Sequence, residues 1–164
     1  MDIQERALSC IDDRALVQLT QELVHIRSIN PPGDEAAVAT FVAKRLQQHG
    51  MVAEVVTHAE AGRASVVGGL RGQRQRPALL FSGHLDTVPA GDNWEHDILA
   101  ADIHDGKIWG LGTTDMKAGV AAMLMALEAI QRTGTTLTLP VLSIMLTSDI
   151  APSRTRLPSV PLIW

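Results

Sequence analysis

A short apolar run and the polar turn after it decide the fold, and they read ALLFSGHLD over residues 78–86. The first four residues, 78–81, are continuously apolar, which is typical of a strand covered on both faces of a sheet. We therefore expect a buried, parallel strand at 78–82. In open α/β sheets, ligands gather beyond the carboxyl ends of the strands, and His84 and Asp86 follow this strand directly.

Outward from this strand, helical and strand patterns alternate along the chain. Apolar residues at helical spacing predict three helices, over 12–27, 34–50 and 115–131. Runs rich in apolar and β-branched residues predict further strands at 51–57, 64–69 and 139–146, whereas the polar residues at 91–106 are typical of a loop. Asp12 or Asp13 is expected to cap the first helix and Asp34 the second. The alternation predicts an α/β fold with a mostly parallel central sheet flanked by helices.

Composition argues against several classes of function. The chain has 164 residues, 46% of them hydrophobic, and a formal net charge of -4. Nucleic-acid binding depends on basic patches that neutralise phosphate, so we expect no nucleic-acid partner. The apolar runs are shorter than the roughly 20 residues needed to cross a bilayer. The N-terminus is polar, and Cys10 is the one cysteine. We expect no membrane partner, no disulfide and a cytoplasmic location.

The first candidate for chemistry is the triplet His84-Leu85-Asp86. A neutral imidazole can bind a metal ion while a carboxylate holds its other ring nitrogen and fixes the tautomer. Taken alone, such a triplet is more often a capped turn or a surface histidine than a pair of ligands. Its place at the end of the 78–82 strand favours the functional interpretation.

The second candidate is the glycine-rich turn over residues 110–119, which brings Asp115 to the start of the third helix. A dinucleotide-binding turn is a rival interpretation, but its third glycine would fall at Asp115, and a carboxylate is a poor neighbour for pyrophosphate. An N-cap role for Asp115 is the second alternative. The two candidate segments together favour a metal site, because a carboxylate at the rim of a sheet can bridge two cations that activate water.

The two blocks resemble a known family. SGHLDTVP at 82–89 and DGKIWGLGTTDMK at 105–117 are similar to the motifs of the dinuclear zinc peptidases and amidohydrolases, which include acetylornithine deacetylase, succinyl-diaminopimelate desuccinylase, aminoacylase and glutamate carboxypeptidase. The resemblance covers about residues 12–149. It implies the N-terminal portion of a zinc-peptidase catalytic domain, without the lid and dimerisation domain of that family.

The resemblance also implies roles for three residues. His84 is expected to ligate one zinc ion, Asp115 to bridge two zinc ions, and Asp86 to act in catalysis by orienting His84. Cobalt is a possible substitute for zinc. The implied activity is metal-dependent hydrolysis of amide bonds in N-acyl amino acids or small peptides. Such a small molecule is the expected partner, and a homo-oligomer is possible.

The sequence departs from the family after Asp149. The family continues with two glutamates, a general base and a zinc ligand, whereas this chain has Ile150 and Ala151. Residues 150–164 hold three prolines and no periodic pattern, so we divide the chain into 1–149, the catalytic-domain portion, and 150–164, an aberrant proline-rich tail. Neither Ile150 nor Ala151 can take a proton or bind a cation. We expect a truncated chain that is inactive by itself.

Two origins of this ending are open, a shifted reading frame and a genuinely short form. The alternative function is that of a non-catalytic pseudo-enzyme, which acts only by association with itself or with an intact relative.

Overall fold

The computed structural model describes residues 1–74 and 76–146. The helices are α1 (Ile3–Ser9), α2 (Asp13–His25), α3 (Ala36–Gln48) and α4 (Ala118–Arg132). The strands are β1 (Val52–Thr57), β2 (Ala64–Leu70), β3 (Leu79–His84), β4 (Asp102–His104), β5 (Lys107–Trp109) and β6 (Val141–Leu146). Helices and a central sheet together confirm the α/β class. Among the described residues, none of the helices has the length and apolar character required to cross a membrane.

The central sheet has the order β1-β2-β6-β3. β1 pairs with β2, and β2 with β6, in antiparallel fashion, whereas β3 and β6 are parallel. The expectation of a mostly parallel sheet is therefore wrong for the described strands. β1 and β2 are joined by a short turn, which returns the chain in the opposite direction, and a parallel pairing would need a long crossover. The pairing of β3 with β6 does have such a crossover, which contains α4.

The exposure of β3 also differs from the expectation of a strand buried on both faces. β3 is the last strand at one edge of the described sheet. Leu79 and Leu80 are 46% and 50% exposed, and burial increases only toward the carboxyl end. Among the described elements, nothing pairs with the outer edge of β3. β2 is the strand that is buried along its whole length, and since alternate side chains point to opposite faces, both faces of the sheet are covered there.

The helices begin near the predicted positions, with one difference in capping. Asp12 caps α2 as expected, because its carboxylate accepts a hydrogen bond from the Arg14 N–H at 2.8 Å. α3 begins after Glu35 without a side-chain cap. The predicted cap Asp34 instead binds the guanidinium of Arg27 at 3.0 Å.

Two elements were not anticipated by periodicity. α1 buries none of its residues, and a reciprocal capping box of Asp2 and Glu5 marks its start. β4 lies inside the segment 91–106 expected to be a loop, and it forms a hairpin with β5. Asp105 and Gly106 both have positive φ angles, as the two-residue turn of a hairpin requires.

The core lies where α2, α3 and α4 meet the sheet. α3 packs on β1 and β2, α4 packs on β2, β3 and β6, and α2 packs on α4. The large buried side chains include Leu19, Leu23, Val38, Leu46, Leu124, Leu127 and Met145. This packing holds α4, and with it the turn at Thr113–Lys117, against the carboxyl end of β3.

A buried ion pair joins α3 to α4. Arg45 donates to both carboxylate oxygens of Glu128, with Nε–Oε1 at 2.6 Å and Nη2–Oε2 at 3.1 Å. Glu128 is almost fully buried, and His49 Nε2 lies 3.4 Å from its second oxygen. Because the bidentate arrangement satisfies both oxygens, the carboxylate remains paired in the interior.

We predict that Arg45→Ala lowers the free energy of unfolding by about 3 kcal/mol, because it leaves the buried carboxylate of Glu128 without its main partner. Urea denaturation followed by circular dichroism measures this loss. Lys44→Ala is the control, because Lys44 is an exposed cation on the same helix, and its effect should stay within about 0.5 kcal/mol. Equal losses in both variants would contradict the role given to the ion pair.

Candidate metal centre

The structure brings the two predicted ligands into contact at one rim of the sheet. His84 is the last residue of β3, and Asp115 lies in the turn at Thr113–Lys117 that precedes α4. His84 Nε2 lies 2.9 Å from Asp115 Oδ1. These residues are 31 positions apart in the chain, so only the packing of α4 against β3 makes the contact possible.

Asp86 lies on the other side of the imidazole. His84 Nδ1 is 3.0 Å from the backbone oxygen of Asp86 and 3.5 Å from its carboxylate Oδ1. The Asp86 carboxylate is buried, and its Oδ2 accepts a hydrogen bond from Asn30 Nδ2 at 3.0 Å. The backbone oxygen of Asp86, with the carboxylate beside it, restricts the ring orientation of His84 and directs Nε2 toward Asp115.

Solvent reaches only one side of this group. The side chain of Asp115 is 82% exposed and that of His84 is 30% exposed, whereas Asp86 is buried behind them. The Nε2 and Oδ1 atoms therefore face an accessible space, which is the arrangement that a ligand arriving from solution requires.

The surroundings of the imidazole suit a cation. Both ring nitrogens of His84 face oxygen acceptors, those of Asp86 and Asp115, and a neutral imidazole has only one N–H to donate. With the proton on Nδ1, a cation between Nε2 and Asp115 Oδ1 would satisfy both atoms. One imidazole nitrogen and one carboxylate oxygen are donors that zinc accepts.

The described part of the chain contributes an incomplete set of donors. A catalytic zinc ion has about three protein ligands and a water molecule. Within residues 1–74 and 76–146, the structure contains no group of three or more His, Cys, Asp or Glu side chains that could hold a metal ion. The residues present therefore fit one part of a metal site. Asp149, Ile150 and Ala151, on which the predicted departure from the family rests, lie outside the described residues.

Glycines shape the turn that carries Asp115. Gly112 has a φ angle of +79°, and a Cβ atom there would collide with the methyl group of Thr87. The backbone of Asp115 is extended, with φ -129° and ψ 96°, and α4 begins only at Ala118, after Lys117. Asp115 is therefore not the N-cap of α4, and its carboxylate faces His84. The peptide bond between Asp115 and Met116 is cis.

Lys117 and Asn30 are polar contributors that the sequence analysis did not single out. Lys117 is buried, and its Nζ donates a hydrogen bond to the backbone oxygen of Ile26 at 2.6 Å. Burial lowers the pKa of Lys117 to about 8, because the charged ammonium loses its hydration. The sequence signal for Lys117 was its place directly before an apolar helix. A lysine buried at such a place is rare and normally has a polar partner.

Glu35 is a further buried carboxyl group near this site. It lies at the start of α3 with no exposed surface, and Arg63 Nη2 is 3.6 Å from its Oε1. Burial raises the pKa of Glu35, and the nearby negative charges of Asp86 and Asp34 raise it further. A hydrogen bond from the Glu35 backbone and the positive charge of Arg63 act in the opposite direction and lower this pKa. Placing another negative charge in the interior behind Asp86 would therefore be unfavourable.

Comparisons with known proteins agree with the motifs. Residues 80–147 match the model of Peptidase family M20/M25/M40. Succinyl-diaminopimelate desuccinylase from Stenotrophomonas maltophilia is 35% identical over 142 residues, which is 82% of this chain and 35% of that enzyme. The enzyme of the same name from Methylorubrum populi is 33% identical over 123 residues, 71% of this chain and 30% of its own length. This chain thus spans about a third of these relatives.

Solved structures show the same fold. Human carnosine dipeptidase 1 superposes with a TM-score of 0.71 and 25% identity, over 93% of this chain and 35% of that chain. The M20 family metallo-carboxypeptidase Sso-CP2 from Sulfolobus solfataricus superposes with a TM-score of 0.70 and 19% identity, over 83% of this chain and 31% of that chain. The described α/β arrangement therefore corresponds to part of an M20 catalytic domain.

We predict that Gly112→Ala destabilises the chain by about 3 kcal/mol, because it combines a positive φ angle with a collision against Thr87. Gly106→Ala is a matched control, since Gly106 has a φ angle of +72° and no atom within 4 Å of an added Cβ. It should cost about 1 kcal/mol. Thermal or urea unfolding of both variants measures the difference, and equal losses would show that the contact with Thr87 is unimportant.

We also predict a pH-dependent effect of Glu35→Gln on stability. The pKa of Glu35 is raised above its ordinary 4.5, so between pH 4.5 and the raised pKa the folded chain binds more protons than the unfolded chain. The wild type should therefore lose stability relative to Glu35→Gln as the pH rises from 4.5 through the raised pKa. Urea denaturation at several pH values measures this loss, and parallel pH profiles of the two proteins would contradict it.

Proposed function

Because residues 80–147 match the model of peptidase family M20/M25/M40, we propose that the rim site of this chain is part of the active site of a zinc-dependent hydrolase. The match supports a metal-dependent enzyme that hydrolyses amide bonds. The observation that carries the proposal is the 2.9 Å approach of His84 Nε2 to Asp115 Oδ1, with Asp86 buried behind the imidazole.

The two proposed ligands would have different roles in binding the metal ions. His84 would hold one of two zinc ions, and Asp115 would bridge both, with cobalt as a possible substitute. A pair of such ions, when bound, polarises the amide carbonyl and provides a hydroxide-like nucleophile near neutral pH. Asp86 keeps the Nε2 lone pair of His84 directed at the site, and the exposed carboxylate of Asp115 supplies negative charge where cations are to bind.

The proposed substrates are N-acyl amino acids or small peptides. This class follows from the curated relatives, which are named succinyl-diaminopimelate desuccinylases, and from the structural neighbours, which include a dipeptidase and a carboxypeptidase. The sites of such enzymes combine a metal pair with groups that position the acyl portion. The proposal includes a cytoplasmic location, with which a single cysteine, Cys10, agrees.

We further propose that this chain by itself does not catalyse the reaction. Ile150 and Ala151 stand where the family has a general base and a ligand, and loss of a general base costs roughly 10²–10⁴ in rate. The division into a catalytic portion at 1–149 and an aberrant tail at 150–164 is part of this proposal. An alternative role in association with itself or an intact relative is favoured by the exposed edge strand β3.

We predict that the full chain binds Co²⁺ through His84 and Asp115. His84→Ala should raise the dissociation constant at least about tenfold, since even outer partners of metal ligands contribute about 10–100-fold. Asp115→Ala should have a similar effect. Titration with CoCl₂, followed by visible absorption and calorimetry, measures the affinity, and His96→Ala serves as a control at an imidazole in the loop before β4.

Activity assays complete this test. With Zn²⁺ or Co²⁺ added, the chain should give no hydrolysis of N-succinyl amino acids, N-acetyl amino acids or dipeptides above background. Steady turnover would overturn the proposed inactivity. Identical Co²⁺ binding by the wild type and His84→Ala would overturn the proposed metal site and leave the association role as the better explanation.

A further inference from the structure

Residues 26–30, which we call the anchor segment, connect α2 to the turn before α3 and run beside residues 85–87. Thr87 N–H donates to the Ser28 backbone oxygen at 2.8 Å, and Asn30 N–H donates to the Thr87 oxygen at 2.8 Å. The buried hydroxyl of Ser28 donates to the Leu85 oxygen at 2.8 Å. The anchor segment therefore holds the backbone on both sides of Asp86 in one register.

One side chain of the anchor segment reaches the polar group behind His84. Asn30 Nδ2 donates to Asp86 Oδ2 at 3.0 Å, while Asp86 Oδ1 lies 3.5 Å from His84 Nδ1. The amide thus occupies one carboxylate oxygen and leaves the other facing the imidazole. This hydrogen bond holds Asp86 in place, and His84 Nδ1 in turn contacts the Asp86 backbone oxygen at 3.0 Å, so the position of Asp86 restricts the ring orientation of His84.

The opposite end of the anchor segment holds the turn of the second ligand. Lys117 is two residues beyond Asp115, and its Nζ donates to the Ile26 oxygen at 2.6 Å. Ile26 is the residue at which α2 ends, with ψ 113°, so its carbonyl points away from the helical hydrogen-bond pattern. Burying an ammonium group is costly, whereas an apolar side chain would fill the same space without that cost. The contact therefore favours a role in fixing position.

We propose that the anchor segment is a clamp that sets the separation and orientation of His84 and Asp115, with Asn30 and Lys117 as its positioning residues. The proposal rests on the proposed function, because it assumes that these two side chains bind a metal ion. One segment contacts both ligand-bearing loops, so a shift of either loop would break one of these hydrogen bonds. Neither positioning residue would bind the ion itself.

The test measures Co²⁺ affinity of the full chain in CoCl₂ titrations, with folding verified by circular dichroism. Asn30→Ala should raise the dissociation constant about 10–100-fold, as loss of an outer partner does. Asn30→Asp should be at least as damaging, because it is isosteric but places a carboxylate against Asp86. Lys117→Met keeps the side-chain volume without the N–H donor, and it should weaken binding about tenfold and shift the Co²⁺ absorption bands.

Matched controls separate positioning from general effects of substitution. Asn93→Ala and Lys44→Met repeat the same chemical changes at exposed positions, and both should retain wild-type affinity. If Asn30→Ala and Lys117→Met bind Co²⁺ as tightly as the wild type through His84, the clamp is wrong and the proposed metal site stands.

A stability measurement without metal tests the clamp if the chain does not bind Co²⁺ through His84. If the wild type shows no binding that depends on His84, the proposed function fails, and urea midpoints of Asn30→Ala, His84→Ala and the double variant then test the clamp. Coupling through Asp86 requires that the two midpoint shifts do not add. Additive shifts would overturn the clamp.

Discussion

The contact between His84 and Asp115 depends on one constraint, the packing of α4 against the sheet at the carboxyl end of β3. β3 pairs with β6 in parallel register, so the crossover between them must pass over the sheet and return. α4 lies within that crossover, and the turn before it brings Asp115 back to the end of β3. The separation of 2.9 Å is thus a property of the topology and of the glycine-shaped turn together.

The surrounding core explains why this rim is stable enough to hold such a pair. α3 and α4 are joined by the buried pair of Arg45 and Glu128, and apolar side chains from α2, α3 and α4 fill the space above the sheet. Exposure is concentrated elsewhere, at the outer edge of β3 and on the carboxylate of Asp115. A packed interior that holds one accessible polar group in place is typical of a site that is organised before its ligand binds.

The similarity to the M20 peptidase family and the incomplete set of metal donors among the described residues are consistent with each other. The chain corresponds to about a third of its curated relatives, and its described residues contribute an imidazole and a carboxylate to the rim. In such a site the ligands need support from residues that do not touch the ion. The anchor segment is well placed to provide it, since it contacts the loops that carry both proposed ligands.

The sequence by itself determined the elements whose pattern is local. Helical spacing predicted α2, α3 and α4, apolar runs predicted β1, β2, β3 and β6, and the motifs around His84 and Asp115 identified the family. Two elements were not predicted. These are α1, which buries none of its residues, and β4, which pairs with β5 across the turn signal Asp105-Gly106.

Only the tertiary structure decided which strands pair and in which direction, and which polar groups become buried. The antiparallel pairing of β2 with β6 and the exposed edge of β3 arise from contacts between distant segments, which no local pattern encodes. The same is true of Asn30, Lys117 and Glu35. Their importance comes from partners 56, 91 and 28 positions away, Asp86, Ile26 and Arg63, and hydrogen bonding and desolvation act through space.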